Sequence, residues 1–565
     1  MKKPFDRKIE LVCLIFIISI GIFLRFFQLS SVPPGLYQDE TALGYNAYSI
    51  LQTGKDEHGE IFPIYFESFG DFKLPVYIYL TVVSVALFGL TEFAIRFPSA
   101  LFGSLTLLSA FFLIRQITVN TRLTLLLSAL LAINPWHLFF SRAGFEVNVG
   151  LFFAVTGTWF LIKAIHQRVH YVLYTLAFLC FFLAAYSYNV SRILAPMLLL
   201  VFSILYTKSK TNKQKALFII IPLLLLSSIM LLSLTVSSGG TTTNIIGGGD
   251  SLVNAIELRS YMIQMPDIVE KLFFSSPAQY IKQYIENIIG FLSPAFLFVS
   301  GSSHGNHGIA TTGQFYLFEF FTVILGIFIG IRTKEKLAQF AGLWLLTTLA
   351  VIGVSNQAPH ATRGFFLVLP LTCFSTLGLF SIFQYLHSRL SQRFIWIIPV
   401  FLVGIFVTMQ VVQYFSSYYY RFPAVYAKQW RSQDKAVNLY LQGIEKEYDR
   451  IIIDQNANLI YTSLLFYQKY SPSQLHATQI RELKNKEGYY GVDKIGTYEF
   501  REITPEDTNL LNTLFVTDPD KEFPELIKIK EFAYPPRSVV LIHQGNLAQY
   551  PITDAAYTIY RTKEQ

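Results

Sequence analysis

Apolar runs of about twenty residues recur along this chain, and no other feature constrains its fold as much. A bilayer core takes roughly 20 apolar residues per helix. Runs near that length fall at 9–29, 97–115, 123–140, 149–164, 171–187, 193–206, 216–235, 316–331, 337–354, 364–384 and 394–415. Composition agrees, since 52% of the 565 residues are hydrophobic and only 15% are charged. Soluble chains are rarely so apolar. The net charge of +8 is spread over short loops between the runs, which excludes a nucleic-acid surface. Cys13, Cys180 and Cys373 lie inside apolar runs and read as small core residues. No phosphate-binding glycine loop, dinucleotide fingerprint or zinc-spaced Cys/His set occurs. The first run continues to Leu29 with no small-residue cleavage site after it, so it reads as a retained span and not as a signal peptide.

The basic loops set the expected topology. If the run Leu74–Leu90 crossed, the loops with Arg115/Arg122, Lys163/Arg168, Lys208–Lys215, Arg332/Lys334/Lys336 and Arg389/Arg393 would all lie outside. If it dips in and returns, all of them lie inside, as the positive-inside rule prefers. This predicts about eleven crossings plus one partly embedded segment, with the N-terminus cytoplasmic. It also gathers the polar helix-end residues on the external face: the loop 30–95, the turns Ser141–Asn148 and Tyr186–Arg192, the loop 236–315 and Ser355–Arg363. Ser237–Gly249 reads as a flexible start to the 236–315 loop, and Ser251–Ile289 as a surface helix.

Beyond residue 415 charge density rises. Ile451–Asp454, Leu514–Asp518 and Ser538–His543 read as strands, and Ser432–Lys446 as a helix with Ala436, Leu439, Tyr440 and Ile444 near helical spacing. The expected class is therefore an all-α polytopic membrane protein, residues 1–415, with juxtamembrane helices. A small extracytoplasmic α/β domain, 416–565, follows, and it carries no catalytic constellation of its own.

The stretch Pro33-Pro34-Gly35-Leu36-Tyr37-Gln38-Asp39-Glu40 breaks the first helix and opens a short one over 41–51, with two carboxylates at its start. Acidic residues there serve as caps or dipole partners as readily as they serve chemistry. The external acidic set is Asp39, Glu40, Asp56, Glu57, Glu60, Asp71 and Glu146. A carboxylate can deprotonate a hydroxyl acceptor, and two or three together can hold a divalent cation. Glu57 and Glu60 fit a solvated turn, while Asp56 and Asp71 are the candidates for a divalent metal, whose requirement the sequence leaves open. The external basic set is Lys73, Arg96, Arg142, Arg192, His360 and Arg363. Each alone can snorkel to headgroups; converging, they suit a phosphate.

The order Asp39-Glu40, Lys73-Leu74-Pro75-Val76, Arg96-Phe97-Pro98-Ser99-Ala100-Leu101 and Ser141-Arg142-Ala143-Gly144-Phe145-Glu146, with the late Pro359-His360-Ala361-Thr362-Arg363, resembles the GT-C membrane glycosyltransferases. The branch resembled is that of protein O-mannosyltransferase-like and lipid A aminoarabinose-transferase-like enzymes. The similarity runs over roughly 1–415. It departs from the pattern at Lys-Leu-Pro-Val, in place of Lys-Pro-Pro-Leu, and at Phe72, where the aminoarabinose transferases carry a glutamate. The resemblance implies a polyprenyl-phosphate sugar donor and a protein, lipid or glycan acceptor. Asp39 is implied as the catalytic carboxylate, with Glu40 and Glu146 beside it as acidic residues of the site. Lys73 is implied as a phosphate-binding lysine, and Arg192, His360 and Arg363, clustered on the same external face, are expected to hold the lipid phosphate with it. A flippase of polyprenyl-linked glycan is the alternative. It predicts ionisable groups at mid-span and repeat symmetry, and the sequence has little of either.

Overall fold

The structure, a computed structural model, describes residues 6–69, 71–166, 171–206, 220, 224–225, 275–390, 397–454, 460–481, 491–543 and 546–563. Most of the run at 216–235, the stretch Ser237–Gly249 and most of the expected surface helix over Ser251–Ile289 lie outside those residues; the described end of that helix is Ser276–Phe291. The protein is a mostly helical, multi-pass membrane protein with a small α/β part towards its C-terminus. It folds as two units. One comprises residues 1–26, 99–141 and 145–415; the other comprises 27–98, 142–144 and 416–565.

The first unit is helical. Its elements include α1 (Arg7–Phe26) and, after α2 (Gln38–Thr53) and α3 (Pro75–Phe88) of the other unit, most of α4 (Glu92–Ile117). There follow α5 (Thr121–Ile133), α6 (Pro135–Phe140), α7 (Glu146–His166), α8 (Tyr171–Ala185) and α9 (Asn189–Tyr206). Further helices cover Leu317–Thr333, Lys336–Ile352, Val368–Leu390 and Ile397–Ser416. Among the described residues five helices are long and apolar enough to cross a bilayer, and five shorter ones are apolar. Helices Leu317–Thr333 and Val368–Leu390 meet backbone to backbone. A Cβ on Gly326 would lie 1.9 Å from the Phe374 carbonyl, and one on Gly378 the same distance from that of Thr322. The Thr322 and Ser375 hydroxyls share a hydrogen bond of 2.8 Å there. Small residues that let helices touch are the usual device where lipid supplies no hydrophobic drive.

The second unit has a seven-stranded sheet in the order β4-β5-β6-β3-β7-β11-β8. Its strands are β3 (Arg450–Ile453), β4 (Ile480–Arg481), β5 (Val492–Ile495), β6 (Tyr498–Phe500), β7 (Thr513–Thr517), β8 (Ile527–Ala533) and β11 (Ala555–Arg561). Strand β3 runs parallel to both β6 and β7, and the remaining pairs are antiparallel. A central parallel strand is covered on both faces, so Ile451-Ile452-Ile453 is apolar throughout. Ile451 and Ile453 join one buried cluster and Ile452 the other, as a period of two requires. The expected strands over 451–454, 514–518 and 538–543 are present, the last as β9 (Arg537–His543) paired to β10 (Asn546–Ile552). The helix expected over 432–446 is Asp434–Ile444.

Residues 27–98 fold into this same unit. Helix α2 packs against the helix Tyr461–Tyr467, and its Tyr45 is part of the buried cluster that includes Ile451, Val516 and Ile559. The Tyr45 hydroxyl donates to the Tyr470 carbonyl at 3.0 Å, and the Thr41 and Thr462 hydroxyls meet at 2.9 Å. After α2 the chain makes a loop, then a hairpin of β1 (Phe66–Ser68) and β2 (Asp71–Lys73), then α3. Helix α3 is tied to the start of α4 by a specific chemical need. Pro98 has no N–H to give the Ala94 carbonyl one turn back. The Ser84 hydroxyl of α3 supplies the donor at 2.6 Å, and the Tyr77 hydroxyl bonds the Ile95 carbonyl at 2.8 Å.

Candidate active site

Asp39 and Glu40 both lie in the first turn of α2, yet neither caps it. Tyr37 holds the N-cap position without a side-chain cap bond. The two neighbours point to different partners. The β1–β2 hairpin carries the chain back, placing Lys73 beside the start of α2. Its Nζ donates to Asp39 Oδ1 at 2.7 Å. Lys73 is 8% exposed, whereas the Asp39 side chain is 45% exposed. The ammonium therefore fixes the carboxylate while leaving it reachable from outside the unit.

Glu40 is fully buried. Arg96 Nε donates to its Oε1 at 2.9 Å and Nη2 to its Oε2 at 3.0 Å, and the Gly144 N–H also donates to Oε1 at 2.8 Å. Arg96 spends its other donors on the chain break before α2: on the carbonyls of Leu29 and Pro33, both at 3.0 Å, and on that of Gly35. Gly35 itself is irreplaceable in shape. Its φ is +113°, and a Cβ would stand 2.4 Å from the Trp430 carbonyl. Arg142 is likewise buried, donating to the Tyr418 hydroxyl and the Val32 carbonyl, each at 3.0 Å. Both arginines thus serve the turn that presents Asp39, not the headgroups.

Of the two glutamates expected in a solvated turn, Glu60 is exposed and Glu57 is not. Glu57 is fully buried: its Oε1 accepts from Asn46 Nδ2 at 3.2 Å and from the Ser68 hydroxyl, and its N–H donates to Asn46 Oδ1 at 3.0 Å. Asn46 lies two turns into α2 and Ser68 in β1. No local pattern in the sequence reveals that they converge on Glu57. Asp56 Oδ1 accepts the N–H groups of His58 and Glu60, both at 2.9 Å, and burial raises its carboxyl above the ordinary range. His476 Nε2 donates to the Asp56 carbonyl at 2.7 Å and Gln479 to that of Glu57 at 3.2 Å. Asp71 pairs in register with Ser68. Among the described residues no group of three or more His, Cys, Asp or Glu is arranged to hold a metal ion, so no step is derived through one.

The other anticipated residues belong to the first unit. Glu146 begins α7, and Arg192, buried, lies in the first turn of α9. His360 precedes the helical turn Ala361–Gly364, which contains Arg363. Arg363 Nη1 donates to the Ser355 hydroxyl at 2.6 Å. The His360 ring lies 4.7 Å from that of His307, which is 6.1 Å from that of His304. Burial, with the nearby His307, Arg363 and His304, pushes the His360 imidazole down to about 2, so it is neutral. His304 and His307 carry no signal in the sequence that ties them to this group, since they lie in a polar loop 53 or more positions before His360.

The profile of a family described as dolichyl-phosphate-mannose-protein mannosyltransferase matches residues 73–232. The fold is similar to that of ArnT from Cupriavidus metallidurans in the apo state, with a TM-score of 0.54 at 12% identity, covering 98% of each chain. It is similar as well to the archaeal oligosaccharyltransferase AglB from Archaeoglobus fulgidus in complex with an inhibitory peptide and a dolichol-phosphate. There the TM-score is 0.50 at 12% identity, over 81% of this chain and 63% of that one. The chain thus spans less than two thirds of that relative's length. No curated protein matches the sequence.

Proposed function

We propose, from the premise that the chain carries the GT-C fold of polytopic membrane glycosyltransferases, that it moves a sugar from a polyprenyl-phosphate donor to an acceptor hydroxyl. The observation that carries this reading is the half-exposed Asp39 carboxylate held by the buried Lys73 ammonium. Asp39 is the base. The acceptor oxygen attacks the sugar C1 from the face opposite the phosphate, and its proton passes to Asp39. The C1–O bond breaks with its electron pair going to the lipid phosphate, so the anomeric centre inverts. Lys73 is assigned to the departing phosphate as well as to Asp39, because an ammonium has three donors. Within the first unit, Arg192, His360 and Arg363 are assigned to a lipid phosphate and Glu146 to an acceptor. Glu40 acts through Arg96 and the Pro33–Gly35 turn, and is a positioning residue. A flippase would need ionisable groups at mid-span. The buried Arg25, Arg96 and Glu319 instead sit near the ends of their helices, which favours the transferase.

Asp39→Asn is expected to lower sugar transfer in membranes by about 10²–10⁴-fold, the usual worth of a general base, with thermal unfolding of the purified protein unchanged. Full transfer by the variant removes Asp39 from the mechanism. Mass spectrometry of envelope glycans with and without the gene identifies the sugar and the acceptor.

A further inference from the structure

We propose that the loop 54–65 is a membrane anchor, with Ile61, Phe62 and Ile64 inserted into the leaflet that α4 enters at its N-terminal end. These three side chains are 69%, 63% and 53% exposed. A mobile loop could fold such groups away, but this one is held open. Asp56 Oδ1 binds the N–H groups of His58 and Glu60, the Phe62 N–H bonds the Gly54 carbonyl at 3.0 Å, and Lys55 bridges to Ile61. Buried Glu57, on Asn46 and Ser68, pins the base of the loop. Asp56 is spent on the loop's own backbone and Glu57 on Asn46 and Ser68, while the three apolar side chains are presented outward with the charged Lys55 and Glu60 at their edge.

The surroundings identify the occupant as lipid. The Pro63 carbonyl accepts the Tyr79 hydroxyl at 2.9 Å, fastening the loop to α3. Helix α3 has no charged residue, and at 14 residues is about 21 Å long, short of a roughly 30 Å core. Tyr77, Ile78, Thr81, Ser84 and Val85 form its buried stripe. The opposite stripe starts at Tyr79 and continues through Val83 and Leu87, 60% and 68% exposed. Its far end, Phe88, packs against Phe93 and Phe97 in the first turns of α4, a membrane-crossing helix. An unbroken apolar strip therefore leads from the start of a crossing helix, along α3, to the loop tip. A soluble partner would need polar groups to orient on such a strip, whereas hydrocarbon needs none.

The test is fluorescence quenching on the full chain, with Cys13, Cys180 and Cys373 replaced by Ala. A bimane label is placed at Phe62→Cys, with Ile64→Cys as a second position and exposed Lys446→Cys as the aqueous control. The protein is reconstituted in phosphatidylcholine nanodiscs, with and without brominated acyl chains. At 62 and 64 the brominated lipid should lower fluorescence at least two-fold while iodide quenches at least five-fold less than at 446. Iodide quenching equal to that at 446 overturns the proposal. So does protection from both quenchers, which would mean that protein covers the loop. If the variant at 62 fails to accumulate, the one at 64 carries the test.

Discussion

Adjacent carboxylates can have unrelated duties, and here their environments separate them. Asp39 is half exposed and meets a single ammonium at 2.7 Å. Glu40 is sealed against Arg96 with no exposed surface. Breaking a fully buried pair from one side leaves an uncompensated charge, worth about 3–5 kcal/mol. Glu40→Gln is therefore expected to lower the thermal stability of the purified protein markedly and to reduce its yield in membranes, whereas Asp39→Asn leaves both intact. Equal melting behaviour for the two variants would return Glu40 to the list of catalytic candidates. The Asp-Glu pair was legible in the sequence as a pair; its division of labour was not, because Arg96 lies 56 positions from Glu40 and only the fold joins them.

At the scale of elements, connections do as much as strands and helices. Between the parallel strands β6 and β7 the chain makes a short turn over Pro505–Asn509, and Asp507 holds it. Its carboxylate accepts from the Thr504 N–H and hydroxyl, and Arg501 binds it with two bonds of 2.8 Å. The Arg501 guanidinium holds the Asp507 carboxyl down at about 2, below its ordinary range. On acidification the unfolded chain binds a proton at this residue before the folded one does. The stability due to Asp507 is thus complete above about pH 4 and is lost as pH falls towards 2. Asp507→Asn should flatten that part of the melting temperature against pH; an unchanged slope would place the acid sensitivity elsewhere. Helix α3 shows the same dependence on connection. Its apolar sequence admitted a crossing, and the positive-inside rule argued against one; at 14 residues, bonded to the start of α4 through Ser84 and Tyr77, it is a short helix at the base of a long one.

For the whole molecule, the decisive fact is that the second unit is assembled from distant parts of the chain. A C-terminal domain that merely follows a membrane part could be removed without harm. Here Thr462, Tyr470, His476 and Gln479 bond α2 and the loop after it, and Tyr45 of α2 lies in the core of the sheet. Truncation after residue 415 strips Tyr45 and Tyr48 of their cover and removes four hydrogen-bond partners. The truncated chain should show no transfer and little accumulation in membranes; wild-type activity would establish that α2 holds its place without the sheet.

Returning to the apolar runs, the sequence by itself determined that the chain is helical and multi-pass, where its helices fall among the described residues, and where three C-terminal strands lie. These depend on periodicity and run length, which are local. It also singled out Asp39, because a helix break beside charge is visible along the chain, and Lys73, through the resemblance of the segment Lys73-Leu74-Pro75-Val76. Only the tertiary structure decided that Asp39 and Lys73 touch, that Glu40, Glu57, Arg96 and Arg142 are buried supports, and that α2 belongs with the sheet. A carboxylate's role depends on its partners and its exposure, and both are set by residues tens to hundreds of positions away.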